Sequence, residues 1–125
     1  MKVVLVDSGG ANIGSVRYAL ERLGVSAEMT ADADTILAAD RVILPGVGAA
    51  APAMARLQQM NLVHLLRGLE QPLLGICLGM QLLFEGSEEG GVECLGLVPG
   101  RVRKMPASPG VRVPHMGWNR LRPMR

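Results

Sequence analysis

Cys77 is the residue whose setting most favours chemistry, because glycine stands two positions before it and two positions after it. The apolar run over residues 72–76 predicts a short buried strand, and the run over residues 78–84 predicts a helix. A nucleophile at such a strand-to-helix turn needs Gly75 and Gly79, since larger side chains would collide with neighbouring backbone. The first amides of the helix would stabilise a thiolate. The spacing therefore predicts a reactive cysteine.

The alternative interpretation of Cys77 is a small buried hydrophobic residue, which is the usual fate of a free cysteine. The glycine spacing favours the nucleophile. Cys94 has no comparable setting and is predicted to be structural. Two cysteines without paired spacing, and no signal-peptide pattern, predict a reducing cytoplasm without disulfides.

A thiolate that attacks a carboxamide or an ester needs hydrogen-bond donors for the developing oxyanion. The backbone amide of Leu78, at the start of the predicted helix, is one candidate donor. Gly46 and Gly48 lack a Cβ, so their loop can bring bare backbone close to the sulfur. The amide of Val47 or of Gly48 is the predicted second donor. Alone, this loop would indicate only a turn, and its place after a strand favours the oxyanion role.

The side chains that would assist Cys77 are less clearly indicated. Gln81 lies one helical turn further on and leans back toward the turn, so it either binds a polar substrate or is an exposed helix residue. Only two histidines could act as a base. His64 lies in an apolar helix pattern and is predicted to be a surface or boundary residue, and His115 is a weak candidate. No metal-ligand spacing or phosphate loop occurs, so neither a metal nor a cofactor is predicted.

The segments around these residues alternate between strand and helix patterns. The run Val3–Val6 is continuous and apolar, as in a parallel strand covered on both faces. A helix is predicted from residue 13 to residue 23, with Asn12 as its N-cap and Gly24 as its end. Further strands are predicted over 25–30 and 42–44, and further helices over 33–39 and from 50 to either 60 or 69.

Strands that alternate with helices at this spacing predict an α/β fold, with three layers around a doubly wound, mostly parallel sheet. Ligands of such sheets bind beyond the carboxyl ends of the strands. Three of those ends lie at Asp7, at residues 45–48 and at Cys77. We expect these strand ends to converge on one crevice.

The sequence changes character after Phe84. Residues 85–91 are charged and glycine-rich, which predicts a loop. Residues 92–125 combine five prolines with short apolar segments, which predicts hairpins or edge strands.

Charge is distributed unevenly along the chain. The first 100 residues hold six basic and eleven acidic side chains, whereas the last 25 hold seven basic ones and no acidic one. This basic tail either docks on an acidic or phosphorylated partner or forms a solvated face; its members are Arg101, Arg103, Lys104, Arg112, Arg120, Arg122 and Arg125. One Phe, one Tyr and one Trp offer too little stacking surface for nucleic acid. The longest uncharged stretches have 14 residues, fewer than the ~20 that a membrane helix needs.

Three segments resemble class I, or triad-type, glutamine amidotransferases, and among them the glutaminase subunits of imidazole glycerol phosphate synthases. These segments are residues 44–48, 75–85 and 114–119. Residues 7–13 are similar to the start of the same family. The resemblance covers essentially all 125 residues and implies a flavodoxin-like fold.

The resemblance implies that Cys77 attacks the side-chain amide of glutamine, that ammonia leaves, and that water hydrolyses the thioester to glutamate. The ammonia would pass to a (β/α)₈ cyclase subunit that makes imidazole glycerol phosphate in histidine biosynthesis. The implied residues are the oxyanion-hole amides of Val47 and Leu78, the substrate-binding residues Gly46, Gly48 and Gln81, and the cyclase-facing residues Asn12, Met116 and Trp118.

The catalytic histidine and glutamate of the family belong to a later segment, and no residue here matches them. We therefore expect residues 1–125 to be the N-terminal part of one amidotransferase domain, with little or no glutaminase turnover alone. A sheet edge exposed in such a piece predicts homo-oligomers. Two alternatives remain open. One is a non-catalytic module that binds the cyclase or another partner, and the other is a redox or deglycase-like cysteine protein of the same topology.

Overall fold

The computed structural model describes residues 1–10 and 13–124. They form a four-stranded sheet with helices on both faces and a separate three-stranded sheet. None of the described helices is long and apolar enough to cross a bilayer. In chain order the elements are β1 Val3–Val6, α1 Gly14–Arg22, β2 Ala27–Thr30, α2 Ala33–Leu37, β3 Arg41–Gly46, α3 Ala50–Gln59, α4 Val63–Arg67, β4 Leu73–Cys77, α5 Leu78–Leu82, β5 Phe84–Ser87, β6 Val92–Glu93 and β7 Val98–Val102.

The larger sheet has the strand order β2-β1-β3-β4, and each neighbouring pair is parallel. Every residue of β1 is buried, as is every residue of β3 after its first. Strands buried on both faces read as continuous apolar runs rather than alternating ones, which explains the sequence of β1. The predicted α/β fold with a doubly wound, mostly parallel sheet is confirmed.

Helices cover the two faces of this sheet unequally. On one face, Val4 and Leu44 share a buried cluster with Ile36 of α2, Leu57 of α3 and Leu66 of α4. The start of α5 packs on the same face through Leu78. On the other face lies α1, and the residues that share this smaller cluster are Val3, Leu5, Ile13, Val16, Leu20, Val25, Ala27, Ile43 and Ile76.

Two helix boundaries differ from the sequence prediction. Helix α1 begins at Gly14 with Ile13 at its capping position, and the predicted N-cap, Asn12, lies outside the described residues. The prediction that a helix from residue 50 could continue to residue 69 is wrong. Asn61 adopts a φ of 57°, so the chain ends α3 and starts a separate α4.

The smaller sheet places β5 between β6, to which it is antiparallel, and β7, to which it is parallel. The helix predicted to reach residue 84 ends earlier, at Leu82. The loop predicted over residues 85–91 is wrong in its first part, because β5 occupies Phe84–Ser87. Its pairing with β7 joins residues 14 or 15 positions apart, such as Phe84 and Val98, and local sequence does not report such pairing. The hairpins or edge strands predicted over residues 92–125 are confirmed as far as residue 102, where β6 and β7 lie at the two edges of this sheet. In the described residues beyond 103, the only ladder contact is one bridge between Ser108 and Val111.

Candidate active site

Cys77 is the last residue of β4 and immediately precedes α5. Its backbone has φ 55° and ψ −120°, a conformation that non-glycine residues rarely adopt. Such strain persists only where the surrounding structure enforces it, and it concentrates at functional sites. The predicted strand-to-helix turn is confirmed. The cysteine is exposed, so the alternative interpretation of Cys77 as a buried hydrophobic residue is wrong.

The two glycines that flank Cys77 are required by close backbone contacts. A Cβ at Gly75 would lie 2.6 Å from Cα of Met80 and 2.7 Å from the carbonyl oxygen of Gly79. A Cβ at Gly79 would overlap the carbonyl oxygen of Leu44, in the neighbouring strand β3. The glycine spacing therefore lets the start of α5 pack directly on β3, as the sequence predicted for a tight turn.

The glycine loop after β3 stands beside the cysteine turn. Gly46 is paired with Cys77 in the parallel register of β3 and β4. A Cβ at Gly46 would lie 2.9 Å from the amide nitrogen of Gly79, so a side chain there would push the loop away from the turn. Val47 is 45% exposed and follows directly, and Gly48 has a φ of +92°, which favours glycine. The predicted approach of this loop to Cys77 is confirmed at Gly46, and the approach of the Val47 or Gly48 amide to the sulfur stays a prediction.

Three strand ends lie at one edge of the sheet, as predicted, and the expected crevice between them stays a prediction. Strands β1, β3 and β4 are parallel neighbours, so their carboxyl ends lie at one edge of the sheet. Asp7 directly follows β1, and its carboxylate accepts a hydrogen bond of 3.0 Å from the amide of Gly9. Two clefts of about 270 and 280 Å³ occur elsewhere in the described residues, and neither is lined by Cys77. Cys77 is exposed at this edge of the sheet.

Gln81, His64 and His115 are the polar residues that the sequence offers as possible assistants to Cys77. Gln81 is half-buried on α5, one turn after Cys77. His64 is exposed on α4, as predicted, and lines the 270 Å³ cleft. His115 is exposed, and its Nε2 lies 2.9 Å from the side-chain nitrogen of Asn119. Within residues 1–10 and 13–124, neither histidine forms a hydrogen bond with Cys77.

The second cysteine is buried, as predicted for a structural residue. Cys94 is 2% exposed and belongs to the larger hydrophobic cluster. Burial raises the pKa of the Cys94 thiol, and the carboxylate of Glu93 adds to the increase. Cys94 is therefore a poor nucleophile, and Cys77 is the exposed one of the two thiols.

The residues that the family resemblance assigned to a partner surface are only partly described. Met116 is 74% exposed and Trp118 is fully exposed, whereas Asn12 lies outside the described residues. An exposed tryptophan is typical of a residue that becomes an anchor when a partner covers it. The partner role of these residues stays a prediction.

No sequence pattern singles out Arg56, which the structure places near the same edge of the sheet. Its Nε donates a hydrogen bond of 3.0 Å to the carbonyl oxygen of Ser8, in the turn after β1. Ser8 is 5% exposed. Helical periodicity indicates only that Arg56 is a polar position on α3, so no local signal could have found this contact.

A family model described as "Glutamine amidotransferase class-I" matches residues 4–121. A solved structure described as a "Crystal structure of glutamine amidotransferase" superposes with a TM-score of 0.68, covering 81% of this chain and 56% of that one. The sequence identity to that structure is 20%, so the superposition shows a shared fold.

Curated relatives named imidazole glycerol phosphate synthase subunit HisH are more similar in sequence. The relative from Xanthomonas euvesicatoria is 68% identical over 123 residues, and the one from Xylella fastidiosa is 63% identical over 124 residues. These alignments cover 98% and 99% of this chain. The chain spans 62% of the length of each of these relatives.

Proposed function

Because this chain belongs to the class-I glutamine amidotransferase family, we propose that Cys77 is the nucleophile of a glutaminase. The observation that carries the proposal is the strained backbone of Cys77, held in register with Gly46 of the neighbouring strand. Exposure distinguishes it from Cys94, which is buried. The arrangement suits attack by a thiolate on a carbonyl carbon that is approached from the edge of the sheet.

In the proposed reaction, Sγ of Cys77 attacks the side-chain amide carbon of glutamine. The amides of Val47 and Leu78 donate to the oxyanion that forms. The N–H of Leu78 suits this role because the first residues of a helix have no acceptor within it. The carbon–nitrogen bond then breaks, the nitrogen takes up a proton and ammonia leaves. Water attacks the thioester, the carbon–sulfur bond breaks, and glutamate and the free cysteine are formed.

Substrate recognition is assigned to the groups around this turn. Gln81 would hold the amino-acid portion of glutamine, since it lies one helical turn from Cys77 and is half-buried. Gly46 and Gly48 would allow the substrate to approach the backbone closely, because neither carries a side chain. The absence of a Cβ is a steric requirement at Gly46, where a Cβ would lie 2.9 Å from the amide nitrogen of Gly79 in α5.

The similarity to HisH relatives supports a more specific role for the chain. We propose that it acts in histidine biosynthesis as the glutaminase subunit of imidazole glycerol phosphate synthase, with a (β/α)₈ cyclase as its partner. Asn12, Met116 and Trp118 would contact that partner. Two unpaired cysteines fit a reducing cytoplasm.

The exposed edge of β4 supports a second kind of association. Among the described residues, β4 pairs with β3 on one side and has no strand on the other, and Leu74 is 57% exposed. Such an edge can pair with a second copy of the chain. We propose homo-oligomers formed through this edge.

The glutaminase assignment is tested by labelling Cys77. We expect an electrophile that mimics glutamine, such as a chloroketone of the same amino-acid shape, to modify Cys77 and leave Cys94 intact. Peptide mass analysis after a fixed time would measure both sites. Glutamine at saturating concentration should slow the modification about tenfold or more, since bound substrate excludes the reagent.

Two variants make this labelling experiment specific. Cys77→Ser should take up no label, and Cys94→Ser should be labelled as the wild type is. Labelling of Cys77 that glutamine does not slow would contradict the glutaminase assignment and favour a redox-type cysteine protein.

The partner assignment is tested with Trp118→Ala. A tryptophan that fills a pocket on a partner commonly contributes about 2 kcal/mol or more to binding, so we expect affinity for the cyclase to fall about thirtyfold. Titration calorimetry would measure the dissociation constant, with Cys77→Ser as the matched control that should bind normally. Equal affinities of Trp118→Ala and wild type would remove Trp118 from the interface.

A further inference from the structure

Arg56 extends from α3 to the turn that follows β1. Its Nε donates a hydrogen bond of 3.0 Å to the carbonyl oxygen of Ser8, and that contact is part-buried. The turn is further stabilised by the carboxylate of Asp7, which accepts a hydrogen bond of 3.0 Å from the amide of Gly9. The contact thus joins two parts of the chain that are 48 residues apart.

Gly10 leaves room for the guanidinium group of Arg56. A Cβ at Gly10 would lie 2.8 Å from a terminal guanidinium nitrogen and 3.2 Å from the central carbon, Cζ. The planar group therefore packs directly on the backbone of the turn. One ion pair is present within the described residues, between Arg101 and Glu93, and Arg56 is not part of it. The hydrogen bond to the backbone carbonyl of Ser8 therefore orients the side chain of Arg56.

The two segments that Arg56 joins both lie at the edge of the sheet where Cys77 is exposed. Helix α3 begins at Ala50, directly after the loop that contains Val47 and Gly48. The turn at residues 8–10 follows β1, the strand beside β3. Helix α3 therefore connects the turn after β1, through Arg56, with the loop that contains Val47 and Gly48.

We propose that Arg56 is a positioning residue, which holds the turn after β1 and helix α3 as one unit and thereby fixes the Val47 amide relative to Cys77. The proposal rests on the glutaminase function in assigning that amide to the oxyanion. Arginine suits the role because its planar guanidinium group can donate a hydrogen bond to a carbonyl while it lies flat on a glycine backbone. Lysine would retain the charge without that shape.

Three variants and a control test the proposal. Arg56→Ala removes the contact, Arg56→Lys keeps only its charge, and Gly10→Ala keeps the arginine but adds a Cβ where the guanidinium lies. Arg41→Ala is the control, since the side chain of Arg41 is exposed and donates to the neighbouring carbonyl of Asp40. Two quantities are measured in the 125-residue protein: amide hydrogen exchange, and the rate of Cys77 modification by the glutamine-mimicking chloroketone relative to iodoacetamide.

We expect Arg56→Ala to speed amide exchange at Val47 and Gly48 about tenfold, because the loop opens more often. The ratio of chloroketone to iodoacetamide rates should fall about tenfold, the effect of losing one hydrogen bond of typical strength. The iodoacetamide rate itself should stay within about twofold, since this small reagent needs no oxyanion geometry. Arg56→Lys should resemble Arg56→Ala, and Arg41→Ala should resemble the wild type.

The double variant Gly10→Ala/Arg56→Ala tests whether the two residues act through one contact. Gly10→Ala alone should lower the rate ratio, and the double variant should be no worse than Arg56→Ala. Additive losses would contradict the proposal. Faster exchange at residues 9 and 10 with unchanged exchange at Val47 and Gly48 would also overturn it, since Arg56 would then stabilise its own turn alone.

The two measurements separate this proposal from the glutaminase assignment. If wild-type protein shows no preference for the chloroketone over iodoacetamide, the glutaminase assignment fails, and amide exchange still decides whether Arg56 holds the loop. If Arg56→Ala does not fold, Gly10→Ala and Arg56→Lys give the same comparison with a side chain retained at position 56.

Discussion

Gly79→Ala is expected to lower the free energy of unfolding by about 3 kcal/mol or more, at the upper end of what overpacking costs. The new Cβ would overlap the carbonyl oxygen of Leu44 and lie 2.8 Å from its carbonyl carbon. Both are backbone atoms of the buried central strand β3, so no side-chain rotation can relieve the collision. Because α5 would be pushed away from β3, the strained turn at Cys77 would lose its support.

Urea denaturation followed by circular dichroism measures this change. The matched control is Gly68→Ala, because the nearest atom to a Cβ there is 3.6 Å away, an ordinary contact distance. Gly68→Ala should change the unfolding free energy by less than about 1 kcal/mol. A Gly79→Ala protein as stable as this control would show that α5 can leave β3 freely, and the account of the glycine spacing would be wrong.

Purified 125-residue protein is expected to release no more ammonia from glutamine than its Cys77→Ser variant. Positioned acid and base groups contribute about 10² to 10⁴ to such rates, and the departing nitrogen needs a proton. Neither histidine of the chain is hydrogen-bonded to Cys77 in the described residues. Among residues 1–10 and 13–124, the proposed nucleophile therefore has no hydrogen-bonded histidine to move protons.

An enzyme-coupled assay of ammonia and glutamate measures this turnover. Labelling of Cys77 in the same preparation is the control that shows the thiol to be intact and accessible. Ammonia release by the wild type that disappears in Cys77→Ser would contradict the prediction. In that case His115, in the exposed segment after β7, would be the first residue to replace.

The features of the candidate site that were predicted from the sequence are those that depend on residues close together in the chain. The glycines at positions 75 and 79 identified the turn because the steric requirement falls on residues within the same short segment. The burial of Cys94 and the exposure of His64 also agree with what was predicted from the sequence around them. The roles of Gln81 and Trp118 remain predictions, since they depend on molecules that bind.

Elements whose partners are distant in sequence were predicted less well. The segment Phe84–Ser87 contains glycine and glutamate and has little intrinsic preference for a strand, yet it pairs with β7. The break between α3 and α4 depends on the backbone of one residue, Asn61. A periodic apolar pattern continues across that residue, so periodicity alone favoured a longer helix.

By itself, the sequence determined the alternation of strands and helices and the corner at which Cys77 lies, because both follow from hydrophobic patterns and steric limits among near neighbours. Only the tertiary structure decided that Gly46 pairs with Cys77 and that Arg56 reaches Ser8. Strand order and side-chain reach depend on how whole elements pack, and residues 48 positions apart carry no local signal of their contact.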